Sequence, residues 1–130
     1  MKLASWNVNS LKVRLPQLLE WLALRQPDVV CLQETKLEDS AFPQHEIEAA
    51  GYAVAFSGQK TYNGVALLSR QEPVDITRGN PHFDDVQKRL IAATVDDVRV
   101  VCAYMPNGQE VGSDKYNYKL VWLAALERWL

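Results

Sequence analysis

Residues 2–33 read as one strand–helix–strand unit, and no other stretch narrows the accessible folds as much. "KLASWN" (2–7) has the pattern of a strand. Leu15, Leu18, Leu19 and Leu22 then follow the i, i+3, i+4, i+7 spacing of one helix face. Pro16 suits the first turn of that helix, and Pro27 lies just past its end. "DVVCLQ" (28–33) is the next strand. A helix between two strands normally brings them together in parallel through a right-handed crossover.

The remaining segments add antiparallel connections. A short helix around 43–50 ends at Gly51, a natural C-cap. "YAVAFSG" (52–58) and "GVALLSR" (64–70), separated by "QKTYN", read as a hairpin or as strand neighbours. "PVDIT" (73–77) opens with proline, as edge strands do. Residues 78–88 form a polar loop. "RLIAATVD" (89–96) and "VRVVCAYM" (98–105) form a hairpin turning at Asp96 and Asp97. The closing "KLVWLAALERWL" places Leu123, Leu126 and Leu130, flanked by Trp122 and Trp129, on one helical stripe. The fold class is therefore α/β (α+β), a mixed β-sheet covered by helices. No stop signal follows Trp129, so the pattern is expected to be cut inside a helix.

The chain of 130 residues suits one domain with a real core. No apolar run reaches membrane-span length, and "MKLASWNVNS" enters a strand without a signal peptide. Cys31 and Cys102 both sit in apolar runs and read as buried, reduced thiols of a cytoplasmic protein; only geometry decides whether they could pair. The net charge is −2 and the pI about 5.6, which gives no support to a strongly electrostatic nucleic-acid binder. Local patches matter more than that total.

Polar residues gather where strands end. The first strand ends at Trp6-Asn7, the second at Gln33-Glu34, and strand 98–105 at Tyr104, before Pro106-Asn107-Gly108. If the first two strands are parallel neighbours, Asn7 and Glu34 lie side by side at the carboxyl edge, where such sheets bind ligands. An amide oxygen beside a carboxylate suits Mg²⁺, which keeps several waters and binds phosphate oxygens. Spacing alone leaves the plainer readings open: a solvated Glu34, Asn7 and Asn107 as turn formers, Tyr104 as core, Arg89 and Lys119 in water. Neither His45 nor His82 is assigned a catalytic role.

The stretches "SWNVNSL", "LQETK", "GQKTYNGVALLSR", "RLIAATV" and "YMPNGQEVGSDKYNYKLVWL" together resemble the exonuclease III family. These are Mg²⁺-dependent apurinic/apyrimidinic (AP) endonucleases and 3′-exonucleases of DNA repair. They lie within the endonuclease/exonuclease/phosphatase superfamily, whose fold is a DNase I-like four-layered α/β sandwich. The resemblance implies a metal-binding glutamate at Glu34, with Asn7 supporting the metal. It implies an active-site tyrosine at Tyr104 and a phosphate-contacting asparagine at Asn107. Lys36, Tyr62, Arg89 and Lys119 match positions that touch DNA or brace the site. The implied cofactor is Mg²⁺, with Mn²⁺ as the alternative, and the implied partner is double-stranded DNA with AP sites or 3′ ends.

Two departures matter. The family often has Gly where this chain has Ser10, and serine serves that turn if its backbone stays at negative φ. The family is also about twice as long, and its second half supplies Gly-Asp-x-Asn and Ser-Asp-His motifs. Neither occurs here: "GSD" at 112–114 is followed by Lys115. The resemblance therefore implies the N-terminal half of such a domain across residues 1–130, from a monomeric parent. The fragment is expected to be inactive alone and to expose the inner face of its sheet, which invites self-association or marginal stability. Two alternatives are another phosphoesterase of the superfamily, against which Tyr62, Arg89 and "YMPNG" argue, and a non-catalytic DNA-binding or scaffold half-domain.

Overall fold

Two β-sheets form where the pattern suggests one mixed sheet. The structure, a computed structural model, describes residues 1–130. The first sheet contains β1 (Leu3–Asn7), β2 (Val29–Gln33), β3 (Ala53–Ser57) and β4 (Val65–Ser69), in the order β1-β2-β4-β3. β1 and β2 are parallel, as the strand–helix–strand unit requires, and β4 runs antiparallel to β2 and β3. The second sheet contains β5 (Val74–Arg78), β6 (Leu90–Val95) and β7 (Val98–Ala103), all antiparallel, with β5 at one edge. The β6–β7 turn is the two-residue kind, with Asp96 and Asp97 both at positive φ (48° and 63°).

The sheets pack face to face. Val29, Cys31 and Leu67 of the first sheet share one buried cluster with Ile91, Ala93, Val100 and Cys102 of the second. This corrects the expectation of an exposed inner face: the chain carries both sheets and covers that face itself. Cys31 and Cys102 are free and buried in this layer. The outer face of the first sheet is covered by α1 (Leu11–Arg25), through Leu11, Leu18 and Leu22, and by α2 (Gln44–Ala49), through Ile47. α3 (Asp114–Trp129) sits by the second sheet, where Trp122 lines a small cavity with Asn80, Phe83 and Leu90. No helix is long and apolar enough to cross a membrane.

Three local expectations change. α1 begins at Leu11, so Pro16 lies inside the helix and not in its first turn. The helix starts early because Ser10 N–H and Leu11 N–H donate to the carbonyls of Glu34 (2.8 Å) and Thr35 (3.0 Å). These tertiary bonds satisfy donors that a helix start otherwise leaves open. They also hold Ser10 at φ +90°, not at negative φ, a conformation suited to glycine, and its side chain makes no capping bond in return. In α3, Trp122 and Ala125 are the buried residues, while Leu130 is 79% exposed at the C-cap and does not belong to the apolar stripe. The anchor turns on the face that meets β6, which a leucine count alone does not locate.

Ser10→Gly is expected to stabilise the chain by about 0.5–1 kcal/mol, since relief of the positive φ exceeds glycine's entropy cost. A urea melt that showed destabilisation would contradict that assignment. Trp122→Ala is expected to cost about 3–5 kcal/mol, whereas Leu130→Ala stays within about 0.5 kcal/mol of the parent. Paired melts of the two variants test where α3 is anchored.

Candidate active site

The carboxyl ends of β2 and β7 meet at one end of the sandwich. Glu34 follows β2 at φ +57°, and Lys36 has the same φ. Such backbone costs about 1–3 kcal/mol per residue and persists only where the surroundings fix it. Here the surroundings do. Besides the two bonds from the start of α1, Thr35 N–H donates to Gly64 O (3.2 Å) and Lys36 N–H to Asn63 O (2.9 Å). Gly64 is required at this contact: its φ is +96°, and a Cβ there would stand 2.1 Å from Thr35 Oγ1. Gly64 N–H in turn donates to Lys88 O (2.9 Å), tying the loop to the segment that enters β6.

Tyr104 stands one residue past β7. Its backbone N–H donates to Arg89 O (2.8 Å), and its phenol donates to Glu34 Oε1 (2.5 Å). One hydrogen bond thus joins the ends of the two sheets. Burial raises the Tyr104 pKa above the usual tyrosine value, the bond to Glu34 and its charge raise it further, and Arg89 opposes both. The phenol is therefore held as a donor. Arg89 lies over the Tyr104 ring, 4.6 Å from guanidinium carbon to centroid, and 5.7 Å from the Tyr118 ring. Its Nε donates to Gln87 Oε1 (2.8 Å) and its Nη1 to Tyr104 O (3.3 Å).

A cavity of about 700 Å³ opens over this arrangement. Six of the eight residues singled out in the sequence line it: Glu34, Lys36, Tyr62, Arg89, Tyr104 and Asn107. The other two do not. Asn7 pairs in register with Gln33, one residue short of Glu34, and its Oδ1 accepts the Asn9 N–H (3.1 Å). Lys119 lays its stem along Gly108, behind the Asn107 turn. Asn107 Oδ1 accepts the Gln109 N–H (3.1 Å), which orients the amide at the cavity rim. Neither histidine lines the cavity.

Several lining residues escaped the sequence reading. Gln59 accepts from Asn63 Nδ2 (3.1 Å) and Lys88 N–H (2.8 Å), and so connects the β3–β4 loop to the entry of β6. Gln87 and Tyr118 flank Arg89, and Asp85 holds both of them. Asp85, Gln87 and Arg89 alternate with period two, the spacing that puts side chains on one face. That signal was present inside the stretch read as a plain polar loop. Tyr118 had only its place in the first turns of α3.

Lys36, Arg89 and Lys115 line the cavity against the carboxylates Glu34 and Asp114. The local balance is positive in a chain of net charge −2. The donor set suits an anion flanked by neutral hydrogen-bond donors. No group of three or more His, Cys, Asp or Glu side chains could cage a metal. Glu34 still fits a hard cation that needs few protein ligands, because Tyr104 takes only Oε1.

Residues 4–129 match the profile of the Endonuclease/Exonuclease/phosphatase family, and the chain belongs to that family. Its fold is of the DNase I-like class. Within the family it is similar to exodeoxyribonuclease III of Haemophilus influenzae, at 40% identity over all of this chain and 51% of that protein. It also superposes on a Neisseria 3′ phosphatase bound to a product DNA hairpin, with TM-score 0.97 and 49% identity over 99% of this chain and 51% of the other. An AP endonuclease from Archaeoglobus fulgidus gives TM-score 0.96 and 42% identity, again covering 51% of that chain. The chain spans about half the length of each of these relatives.

Tyr52, Tyr104 and Tyr118 all have raised pKa values, with burial the largest cause in each. The native chain therefore keeps protons that the unfolded chain gives up near pH 10. The stabilisation is full below about pH 10 and is lost as pH rises through the folded values. Denaturant melts across that range are expected to show the fall, and Tyr118→Phe to make it shallower. An equal slope in that variant would contradict the assignment.

Proposed function

We propose that the chain carries half of the active site of a Mg²⁺-dependent DNA-repair nuclease, acting as an AP endonuclease and 3′–5′ exodeoxyribonuclease on double-stranded DNA. The observation that carries this reading is the Tyr104–Glu34 hydrogen bond at the floor of a cation-lined cavity, beside Arg89 and Asn107. Phosphodiester hydrolysis needs groups that hold a phosphate and stabilise the charge added on attack. Lys36 and Arg89 supply positive charge. Tyr104 and Asn107 supply neutral donors, which stabilise charge without having to lose a proton. Tyr62, exposed at the rim, offers a flat surface to a sugar or base.

Glu34 would hold Mg²⁺, with Mn²⁺ as the alternative, through the carboxylate oxygen that Tyr104 leaves available. When bound, such an ion supplies Lewis-acid polarisation of a phosphate oxygen and lowers the pKa of its water. Asn7 would assist only if its amide turned away from Asn9, so its part is secondary. Lys119 would act through the backbone of the Asn107 turn and not by direct contact.

The Ser-Asp-His motif that the family resemblance implies is absent, His45 and His82 lie away from the cavity, and Glu34 already binds the Tyr104 phenol; Asp114 is the one other carboxylate that lines it. Loss of general acid–base catalysis alone lowers a rate by about 10²–10⁴-fold, so the 130-residue chain alone is read as inactive. The half of the relatives' length that it does not span would supply the missing groups, in a parent that is monomeric and cytoplasmic. β1 and β7 are sheet edges, and a cleft of about 350 Å³ between them is lined by Leu3, Val98, Val101 and Ala103. Unpaired edges of this kind invite strand addition. They, and not the inner sheet face, are where the fragment would self-associate.

The test is Mg²⁺-dependent incision of a duplex carrying one AP site, by the chain and by Glu34→Gln, with an EDTA control. The expected result is no incision by a chain that folds and binds the duplex with a salt-dependent affinity. Incision that disappears in Glu34→Gln would show the half-site to be sufficient and overturn the inactivity. A folded chain that does not bind the duplex would overturn the DNA reading. Sedimentation of the same sample reads self-association directly.

A further inference from the structure

We propose that Asp85 and Tyr118 are positioning residues that lock the Arg89 guanidinium in place, so that it meets a phosphate as a preset donor. The proposal rests on the reading that a nucleic-acid phosphate enters this cavity.

The geometry runs through a single carboxylate. Asp85 Oδ1 accepts the Gln87 N–H (2.9 Å), and Asp85 Oδ2 accepts the Tyr118 hydroxyl (2.5 Å). Gln87 then holds Arg89 Nε at 2.8 Å, while the Tyr118 ring centroid stands 5.7 Å from the guanidinium carbon. Phe83 touches the Tyr118 ring, with centroids 6.1 Å apart. Asp85 therefore fixes the backbone of Gln87, whose side-chain amide holds Arg89, and the second ring beside the guanidinium. Burial and the Asp85 charge also keep the Tyr118 phenol protonated and donating.

The relay has a chemical consequence. A carboxylate bonded directly to Arg89 would neutralise it and occupy the donors a phosphate needs. Here the hydrogen bonds of Arg89 go to an amide oxygen and a backbone carbonyl. The acidic group that orders the side chain stays one residue away, behind neutral groups. The bonds of Arg89 to that amide oxygen and carbonyl use Nε and one N–H of Nη1, so guanidinium donors beside the Tyr104 and Tyr118 phenols remain for a ligand. A long, flexible side chain would otherwise lose rotamer freedom on meeting the ligand, and a preset one avoids that loss.

The test uses this chain, with no metal present, in two measurements. The first follows the Arg89 Nε–H by side-chain ¹⁵N NMR in the parent, Tyr118→Phe and Asp85→Ala, with a thermal melt of each. The expected result is a slow-exchanging Nε–H in the parent and exchange faster by about five- to tenfold in both variants, the scale of losing one ordinary hydrogen bond. The second measures affinity for a short duplex with a recessed 3′ end. Tyr118→Phe is expected to weaken binding by about three- to tenfold and to have no further effect in an Arg89→Ala background. Unchanged Arg89 exchange in both variants, or a Tyr118→Phe effect that persists without Arg89, would overturn the positioning role. A parent chain that fails to bind the duplex overturns the nucleic-acid reading instead, and the exchange data still decide whether Asp85 and Tyr118 hold Arg89.

Discussion

The apolar layer between the two sheets is the constraint on which the rest depends. Its members are mostly β-branched and small side chains, with Val29, Cys31 and the larger Leu67 on one side and Ile91, Ala93 and Cys102 on the other. They bring the sheets together and set how their ends align. That alignment leaves Glu34, one residue past β2, within 2.5 Å of the Tyr104 hydroxyl, one residue past β7. The two residues are 70 positions apart in sequence, and no local contact could bring them together. Cys102 adds detail at this layer: its thiol donates to Leu32 O (3.4 Å), and its contact with Cys31 together with burial pushes its pKa well up. A protonated, bonded thiol is a quiet member of a core.

Much of the fold was legible because its signals are local. The leucine spacing of α1, the Asp96-Asp97 turn, Pro73 before an edge strand and Gly51 after α2 each state a short-range preference. What was not legible depends on contacts between distant segments. Pro16 appeared to mark a helix start, yet α1 begins five residues earlier because its first donors reach the carbonyls of Glu34 and Thr35. Ser10 was expected at negative φ, and the same two bonds hold it at +90°. The division into two sheets was invisible for a similar reason. Alternation shows that a strand has an inner face, but not which sheet covers it.

The candidate site divides along the same line. Glu34, Tyr104 and Asn107 sit at strand ends or turns, where polar residues after an apolar run stand out. Tyr62, Lys36 and Arg89 came from family resemblance and do line the cavity. Asn7 was placed beside Glu34 by assuming that strand ends align, but the β1–β2 register sets it opposite Gln33. Asp85 and Gln87 lay in a segment judged only by its polarity. Their period of two was readable, but it gained meaning only once Tyr118 arrived from a helix 33 residues beyond Asp85.

Both sheets, with α1 and α2 over the first, lie within these 130 residues, and their inner faces cover each other. The edges β1 and β7 stay unpaired on one side, with an apolar cleft between them. Relatives of known structure are about twice as long and superpose on nearly all of this chain. The Tyr104–Glu34 bond and the placement of Arg89 are held by contacts that lie within this chain. Those contacts depend on the apolar layer between the sheets. The cavity's geometry is therefore set by the inner faces of the sheets, and the cleft at the unpaired edges lies apart from it, sharing none of its lining residues.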